Sequence, residues 1–365
     1  MNTSFKRITI IGLGLIGSSI ARALQEYKLT EIIIGCDKNH TALAYAQAHH
    51  FIDHSEHVPE KAVIESDLVI LATPPSTFEN IMTAITPHLA EGTIVMDTAS
   101  VKRASIQIIG AHLPGHATYI PAHPIAGSEQ SGVSAGRADL FSKRYVILTP
   151  EASEPGSAFQ KIADLWKSMG ARIEAMPPDL HDMIYAYVSH LPHLLAYAAR
   201  HTLHNAENLL QLQGFLRLSN SNPDLWSELF YLNQDNIITA LNRYVDATHH
   251  IAQELEQAPA DVKADINSDM ARTVLFPRIA ASCLITTVME AERKAGIPFA
   301  RYAGQGFADF VSPASAPPEG DIENISGQYR QVASLIRDYN QRLMQIHELL
   351  SHNQYTKLVQ VLSGK

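Results

Sequence analysis

Short apolar runs alternate with amphipathic segments along the first half of the chain. The apolar runs are rich in β-branched residues and predict strands at Arg7–Ile11, Glu31–Gly35, Asp67–Ala72, Thr93–Asp97, Thr118–Pro121, Tyr145–Leu148 and Ala171–Ala175. The segments between them follow a helical period and predict helices at Gly17–Tyr27, Thr41–His50, Ser76–Leu89, Lys102–Ile109 and Ala158–Met169. Strands that are apolar along their whole length are typical of parallel sheets covered on both faces. The pattern therefore predicts an α/β domain with a doubly wound parallel sheet over residues 1–176.

Strand signals become rare after Pro177. Long helical periods predict helices at Asp179–Leu203, Asn222–Glu256, Ser268–Ala295 and Asp321–His352. A second, all-α domain is therefore expected over residues 177–365. Its helices are more apolar than a solvent-exposed bundle needs, so we expect this domain to form the interface of a homodimer. Pro192 interrupts the first of these helices, and because its nitrogen donates no hydrogen bond it predicts a kink there.

The segment after the first strand has the spacing of a dinucleotide-binding turn. Three glycines in a GxGxxG pattern stand between an apolar strand and an amphipathic helix. The first allows a tight turn, the second allows the backbone to approach a pyrophosphate, and the third lets the helix pack against the strand. The helix N-terminus then offers N–H groups to the phosphates. These features predict a Rossmann-type domain whose turn binds the cofactor through Gly12, Gly14, Leu15, Ile16 and Gly17.

A second strand, EIIIGCD, ends at Asp37, twenty residues after Gly17. An acidic side chain at this position accepts hydrogen bonds from the adenosine ribose hydroxyls and repels a 2′-phosphate. NAD is therefore expected as the cofactor in preference to NADP, although the adjacent Lys38 weakens that preference. FAD fits the same turn, but no second flavin-type signal accompanies it. Open α/β sheets bind ligands at the carboxyl ends of their strands, so a loop after a later strand is expected beside the nicotinamide, at Thr73, Pro74 and Pro75.

Composition narrows the class of protein. The 365 residues are 46% apolar and 18% charged, with a net charge of −9 and a pI near 6.0. An acidic balance argues against a nucleic-acid partner, which prefers a basic face, and gives no reason to expect a membrane surface as partner. The two cysteines, Cys36 and Cys283, have neither disulfide nor metal spacing, so no metal site is expected. Because no signal peptide and no membrane span are recognised, the protein is expected in the cytoplasm.

Histidine and arginine supply the candidate reactive groups. His123 follows the strand TYIPA, on the cofactor side of the sheet, where a neutral imidazole can take a hydroxyl proton as a nearby C–H gives up hydride. A histidine that caps a turn is an equally good interpretation. His190 and His193 share one face of the helix that contains Pro192. Arg217 lies between helices among few other charges and can bind a carboxylate bidentately. Its rivals for that role are Arg200, Arg243, Arg272 and Arg278.

Five segments occur in the order found in one family of enzymes. They are GLGLIGSS, the strand end at Asp37, DTASVK, HPIAGSEQSG and HDMIYAYVSHLPH. On these segments, which lie between Arg7 and Asn233, the chain resembles the prephenate/arogenate dehydrogenases. HPIAGSE followed by SHLPH is specific, because 6-phosphogluconate and hydroxyacid dehydrogenases share only the dinucleotide turn. The resemblance implies NAD-dependent oxidative decarboxylation of prephenate to 4-hydroxyphenylpyruvate, a step of tyrosine synthesis.

The resemblance also implies roles for single residues. His123 matches the family's catalytic histidine, which hydrogen-bonds the ring hydroxyl of the substrate, and Ser100 matches a serine that helps to hold both. His193 matches a position of the substrate site. Arg217 aligns through RLSNSNPDLW with an arginine that binds the substrate carboxylate. The secondary substrate-binding candidates in matching motifs are Glu129 and Lys102.

The chain departs from the family in two places. The connection before Arg217 is shorter than the family's, and the tail 261–365 is longer than typical. We expect the tail to form a helical lobe that covers either the site or the dimer interface. Arogenate is an alternative substrate, because it differs from prephenate only in an amino group for a keto group. A 6-phosphogluconate-type reductase and a non-catalytic NAD-sensing dimer are further alternatives, although the lysine and asparagine pairing of the former is not found.

Overall fold

The computed structural model describes residues 5–127, 130–150, 156–203, 217–257, 271–315 and 328–364. Contacts divide the chain into two compact units, Met1–Asp182 and Met183–Lys365. The strands of the first unit are β1 (Arg7–Ile11), β2 (Ile32–Cys36), β3 (His54–Glu56), β4 (Leu68–Leu71), β5 (Ile94–Asp97), β6 (Thr118–Pro124), β7 (Tyr145–Leu148) and β8 (Arg172–Ala175). Its helices are α1 (Leu15–Glu26), α2 (His40–Ala48), α3 (Pro59–Ala62), α4 (Phe78–Ile85), α5 (Arg103–Gly110) and α6 (Gly156–Ser168).

One eight-stranded sheet runs through the first unit in the order β3-β2-β1-β4-β5-β6-β7-β8. The strand order reverses between β1 and β4, which creates the crevice where doubly wound sheets bind ligands. The predicted fold class is therefore confirmed, with one exception to its parallel strands. β7 pairs antiparallel with β6, through His123 and Ile147 for example. Between these two strands the described residues form a short 3-10 helix at Val133–Ala135 and turns over residues 138–143, but no α-helix. A chain that returns without a crossover helix runs antiparallel.

The core of this unit lies on both faces of the sheet. Alternate residues of β1 point to opposite faces, so Ile10 joins a cluster with Ile70, Met96 and Trp166, whereas Ile11 joins the cluster on the other face. This double burial explains why the strands are apolar along their length. β3 and α3 were not predicted, because the sequence His54–Glu56 is polar and lies at the sheet edge, where no apolar pattern is required.

The second unit is helical in its described residues, as predicted. Helix α7 (Pro178–Tyr185) carries the chain across the boundary between the units. The remaining helices are α8 (Leu191–Thr202), α9 (Pro223–Leu232), α10 (Gln234–Gln257), α11 (Phe276–Ala295), α12 (Gln305–Ser315), α13 (Tyr329–Ser351) and α14 (Tyr355–Leu362).

Two helical predictions differ from the structure. The predicted helix Asn222–Glu256 is two helices, because the chain leaves helical geometry at Asn233. The expected irregularity at Pro192 takes the form of a π-helical turn at Ala186–His190, whose wider spacing accommodates a residue without an N–H donor. The starts of the helices predicted from Ser268 and Asp321 lie outside the described residues.

Within the described part of the chain, one helical stretch, Ala271–Ala295, is long and apolar enough to cross a membrane, although no membrane span was expected from the sequence. Half of its most apolar stretch is buried inside the protein. Burial of this kind is typical of a core helix in a helical bundle.

Candidate active site

The glycine turn joins β1 to α1 at the carboxyl edge of the sheet. Gly12 has φ +98°, and a Cβ there would lie 2.6 Å from the carbonyl oxygen of Ala72. A Cβ on Gly17 would collide with the carbonyl oxygen of Gly12. Gly14 differs, because a Cβ there meets no atom of the described residues within 4 Å. The first and third glycines are thus required by the protein's own packing, whereas the second leaves open space for a ligand.

The surroundings of this turn fit a dinucleotide. Gly14 is the N-cap of α1, and the first turn of that helix contains no acidic side chain, so its positive end can face phosphate. Leu15 and Ile16 are partly exposed although the strand before them is buried. Asp37 is fixed by two backbone donors, with the N–H of Leu13 at 2.7 Å and that of Asn39 at 2.8 Å. These residues would hold the pyrophosphate and the adenosine ribose of NAD.

The loop after β4 packs against the same turn. The methyl carbon of Thr73 would lie 2.7 Å from a Cβ on Gly12, and the Thr73 hydroxyl bonds that of Thr77 at 2.7 Å. Pro74 is exposed, whereas Pro75 is buried and begins a short turn that leads into α4. The loop therefore lies beside the glycine turn at the carboxyl edge, where the sequence predicted it.

His123 is the penultimate residue of β6, two positions beyond the predicted strand end. Its pairing with Ile147 of β7 holds its backbone in the sheet, and its side chain is 8% exposed. The Nδ1 atom of His123 lies 2.8 Å from Nε2 of His181. His123 is therefore a strand residue whose imidazole contacts a second histidine.

Behind β6 lies a fully buried ion pair. The ammonium of Lys102 donates to Asp97 Oδ2 at 2.6 Å and to the carbonyl oxygen of Ala122 at 2.7 Å. Asp97 also accepts from the hydroxyl of Tyr119 at 2.8 Å. Burial lowers the pKa of Lys102, and the negative charge of Asp97 opposes that shift. Because Ala122 immediately precedes His123, this pair joins the ends of β5 and β6. Lys102 is therefore enclosed in the protein interior, although the resemblance implied a substrate contact.

A second acidic group contacts the backbone of Lys102. Asp182 accepts the backbone N–H groups of Lys102 at 2.8 Å and Arg103 at 3.0 Å, which are the residues where α5 begins. Its carboxylate also lies 2.8 Å from Nδ1 of His181. Asp182 lies inside α7, which begins at Pro178, and its carboxylate is directed at the start of α5 and at His181.

The second unit has its own cluster of predicted residues. The His193 ring stacks on Trp226 with centroids 3.5 Å apart, and its Nδ1 donates to the carbonyl oxygen of Ser189 at 2.8 Å. Burial lowers the pKa of His193 to about 3, although the bond to Ser189 opposes the shift. Arg217 forms an ion pair with Asp309 of α12. In the same helix, a Cβ on Gly306 would lie 2.9 Å from Cε1 of His193.

The long tail thus contacts two of the predicted substrate residues. The sequence left open whether the tail covers the site or the dimer interface, and α12 packs on His193 and Arg217 within the helical unit. Ser100 is half-buried and lies three residues beyond β5. Glu129 lies outside the described residues.

Comparison with known proteins identifies the family. The model of the prephenate dehydrogenase nucleotide-binding domain matches residues 20–175, and that of the prephenate dehydrogenase dimerization domain matches residues 177–267. Cyclohexadienyl dehydrogenase of Zymomonas mobilis is 36% identical over 253 residues, which are 67% of this chain and 86% of that protein.

The chain belongs to the prephenate dehydrogenase family.

This chain is also similar in sequence and in structure to other members of the prephenate dehydrogenase family. Prephenate dehydrogenase of Bacillus subtilis is 29% identical over 271 residues, 72% of this chain and 73% of that protein. The crystal structure of prephenate dehydrogenase from A. aeolicus, in complex with hydroxyphenyl propionate and NAD+, superimposes with a TM-score of 0.62 and 27% identity. The superposition covers 81% of this chain and 99% of the A. aeolicus chain. The resemblance stated from the motifs is confirmed.

Several residues that the structure brings to these clusters were not predicted from the sequence. Asp97 ends a predicted strand at the carboxyl edge of the sheet, where ligands bind, and that position is a signal that could have marked it. His181 and Asp182 stand in the quoted segment HDMIYAYVSHLPH, but only its last histidine was assigned a role. Trp226 and Asp309 carried no separate signal, because their partners lie 33 and 92 residues away in the chain.

Proposed function

We propose that the protein oxidises and decarboxylates prephenate to 4-hydroxyphenylpyruvate with NAD⁺ as the hydride acceptor, as a step of tyrosine synthesis. It is an NAD-dependent prephenate dehydrogenase. The observation that carries the proposal is His123, a buried histidine at the carboxyl edge of a Rossmann sheet, in a chain that is homologous to prephenate dehydrogenases along both family domains. The A. aeolicus enzyme was crystallised with NAD+ and hydroxyphenyl propionate. That complex supports NAD as the cofactor and a hydroxyphenyl compound as the product.

The reaction needs an acceptor for a hydride and a base for the hydroxyl proton. Bound NAD⁺ supplies the acceptor for the hydride that leaves the carbinol carbon of the ring. His123 takes the proton of the 4-hydroxyl, so that the carbon–oxygen bond becomes a carbonyl. The ring carboxylate then leaves as CO₂, its electron pair aromatises the ring, and the phenolate oxygen recovers a proton from His123. Aromatisation makes the step irreversible.

The remaining residues bind rather than react. Ser100 is proposed to hold the 4-hydroxyl beside His123, and Arg217 to bind a carboxylate of the substrate without losing its own proton. His193 is proposed as a substrate contact, and Glu129 as a secondary one. For Lys102 we propose a positioning role, because its ammonium bonds the carbonyl oxygen of the residue before His123. Residues 1–176 then serve NAD and residues 177–365 serve substrate and dimerisation.

The match to a dimerization domain supports a homodimer, and a biosynthetic activity on small soluble metabolites supports a cytoplasmic location. Arogenate is the second candidate substrate. The relative from Zymomonas mobilis favours it, because that protein is named for the cyclohexadienyl ring rather than for prephenate.

One assay separates the candidate functions. The purified protein is given prephenate or arogenate, each with NAD⁺ or NADP⁺, and formation of the reduced nucleotide is followed. We expect turnover of prephenate with NAD⁺, and arogenate turnover would add the second substrate. NAD⁺ binding without turnover of either compound would contradict the proposal and favour an NAD-sensing dimer.

Two variants test the assigned roles. His123→Asn is expected to lower kcat by about 10²–10⁴-fold while NAD⁺ still binds. Near-normal turnover would remove His123 from the reaction. Arg217→Ala is expected to raise KM for prephenate far more than it weakens NAD⁺ binding, and an unchanged KM would remove Arg217 from the substrate site.

A further inference from the structure

A line of hydrogen-bonding groups continues behind His123. His123 Nδ1 lies 2.8 Å from Nε2 of His181, and Nδ1 of His181 lies 2.8 Å from Oδ1 of Asp182. His181 and Asp182 are 0% exposed, and His123 is 8% exposed. All three side chains belong to the first unit, within Met1–Asp182. The line therefore leads from the reactive imidazole into the interior of that unit.

The inner end of the line is a carboxylate. Asp182 accepts from two backbone N–H groups of Lys102 and Arg103, and the guanidinium Nε of Arg103 lies 3.4 Å from Oδ2. Burial alone raises the pKa of Asp182, but the hydrogen bond from His181 and these N–H donors outweigh burial and hold that pKa below its usual value. A carboxylate offers only acceptors, so Nδ1 of His181 must carry the proton in that bond.

The proton on Nδ1 fixes the direction of the next bond. Burial lowers the pKa of His181, and the bond and charge of Asp182 oppose that shift without reversing it, so the ring is neutral. A neutral imidazole with its proton on Nδ1 has a lone pair on Nε2. His123 must then donate from its own Nδ1, which leaves the lone pair of His123 on Nε2.

We propose that His181 and Asp182 are positioning residues that fix His123 in the tautomer whose Nε2 can accept the hydroxyl proton. The inference rests on the proposed function, because it assigns the partners of the base in that reaction. After the proton transfer, the imidazolium of His123 still donates to His181, and the negative charge of Asp182 stabilises it through the intervening ring. The same pair thus sets the base before the transfer and stabilises its charge afterwards.

Among the residues that the structure describes, the other charged groups near the line do not supply this charge. The ammonium of Lys102 and the carboxylate of Asp97 face His181, but they form a tight pair whose effects on the pKa of that ring are opposite in sign. Arg103 lies against Asp182 and also 3.8 Å from Asp179. Asp182 is therefore the carboxylate, among the described residues, that bonds the histidine line directly.

Two amide variants of His181 give a matched test. The amide of His181→Gln reaches the position of Nε2 and can accept from His123, whereas that of His181→Asn ends near Nδ1 and is too short to do so. We expect His181→Gln to retain kcat within about 10-fold and His181→Asn to lose about 10²–10³-fold, the range of a misplaced general base. KM for prephenate and NAD⁺ binding should change little in both. The control is His112→Gln, which removes a half-buried imidazole that bonds the carbonyl oxygen of Ile108.

The pH profile distinguishes positioning from a structural role. In the unmodified enzyme, kcat should rise with pH and level off once His123 is neutral. In His181→Asn, kcat should keep rising with pH, because hydroxide must do what the misaligned base no longer does. A variant that is merely less well folded would lose the same fraction of kcat at every pH.

A spectroscopic measurement tests the tautomer without any substitution at His181 or Asp182. In the ¹⁵N-histidine NMR spectrum, assigned with His123→Asn, we expect a protonated Nδ1 and an unprotonated Nε2 for His123. The reverse tautomer overturns the proposal, as do equal kcat values and equal pH profiles in the two amide variants. If prephenate is not turned over, or if His123→Asn remains active, the proposed function itself fails, whereas the NMR result still decides the tautomer.

Discussion

Removal of the buried ammonium of Lys102 tests how the carboxyl edge of the sheet is held together. Both Lys102 and Asp97 are 0% exposed, so Lys102→Met leaves a carboxylate in the interior without its counter-charge. Breaking a buried pair from one side costs about 3–5 kcal/mol. Asp97 keeps donors from the Tyr119 hydroxyl and the N–H of Ala99, which places the expected loss near the lower limit, at about 3 kcal/mol.

The loss is measurable as a shift in Tm. A domain of 150–250 residues shifts by about 2–4 °C per kcal/mol, so Lys102→Met should lower the Tm of the first unit by about 6–12 °C. Fluorescence can follow that unit alone, because the chain has two tryptophans and only Trp166 belongs to it. The assay therefore uses a Trp226→Phe background. Lys161→Met, at an exposed position of α6, is the matched control and should change stability by less than about 0.5 kcal/mol.

A second substitution tests the electrostatic cause. Adding Asp97→Asn to Lys102→Met removes the uncompensated charge, and part of the lost Tm should return even though another hydrogen-bonding group has changed. If Lys102→Met unfolds at the same temperature as the Lys161→Met control, the ion pair does not stabilise the sheet edge. If the double variant has a lower Tm than Lys102→Met, an unpaired charge on Asp97 is not the cause of the Tm loss in Lys102→Met.

Three further predictions concern the turn, the tail and pH. Gly14→Ala should leave Tm unchanged and weaken NAD⁺ binding in a calorimetric titration. Gly17→Ala should lower Tm, because its Cβ would meet the backbone of Gly12. If the two variants change Tm and NAD⁺ affinity by the same amounts, the two glycines do not have these separate roles. Asp309→Ala should lower KM for prephenate in initial-rate assays, because the Asp309 carboxylate competes for Arg217, and a raised KM would instead make Asp309 part of the substrate site. The pKa of His193 is about 3 in the folded protein, so below pH 6.5 the unfolded state binds more protons at this residue. Stability should therefore fall as pH drops from about 6.5 toward 3, and His193→Asn should show a shallower loss in denaturant titrations at several pH values; an unchanged slope would show that His193 does not titrate in this way.

Much of the fold could be predicted because it depends on local pattern. The strands are apolar at nearly every position, since the sheet is covered on both faces, and β1, β5 and β7 lie within a residue of the predicted positions. Gly12 and Gly17 were recognisable because their spacing follows from a turn that the backbone alone requires. The antiparallel pairing of β7 and the short edge strand β3 were missed, because neither changes the apolar period of its own segment.

The sequence by itself determined the nucleotide turn, the acidic end of β2 and the family motif around His123. These features lie within short segments, where the spacing of residues and the directions of backbone N–H groups are set by a single turn or strand. The tertiary structure decided which groups surround the reactive histidine. His181 lies 58 residues from His123, and Asp182 is bonded to an N–H group 80 residues away, so no local period records either contact. Asp309 likewise meets Arg217 across 92 residues. Hydrogen bonds of this kind depend on how the elements pack, and packing brings together side chains that the order of the chain keeps apart.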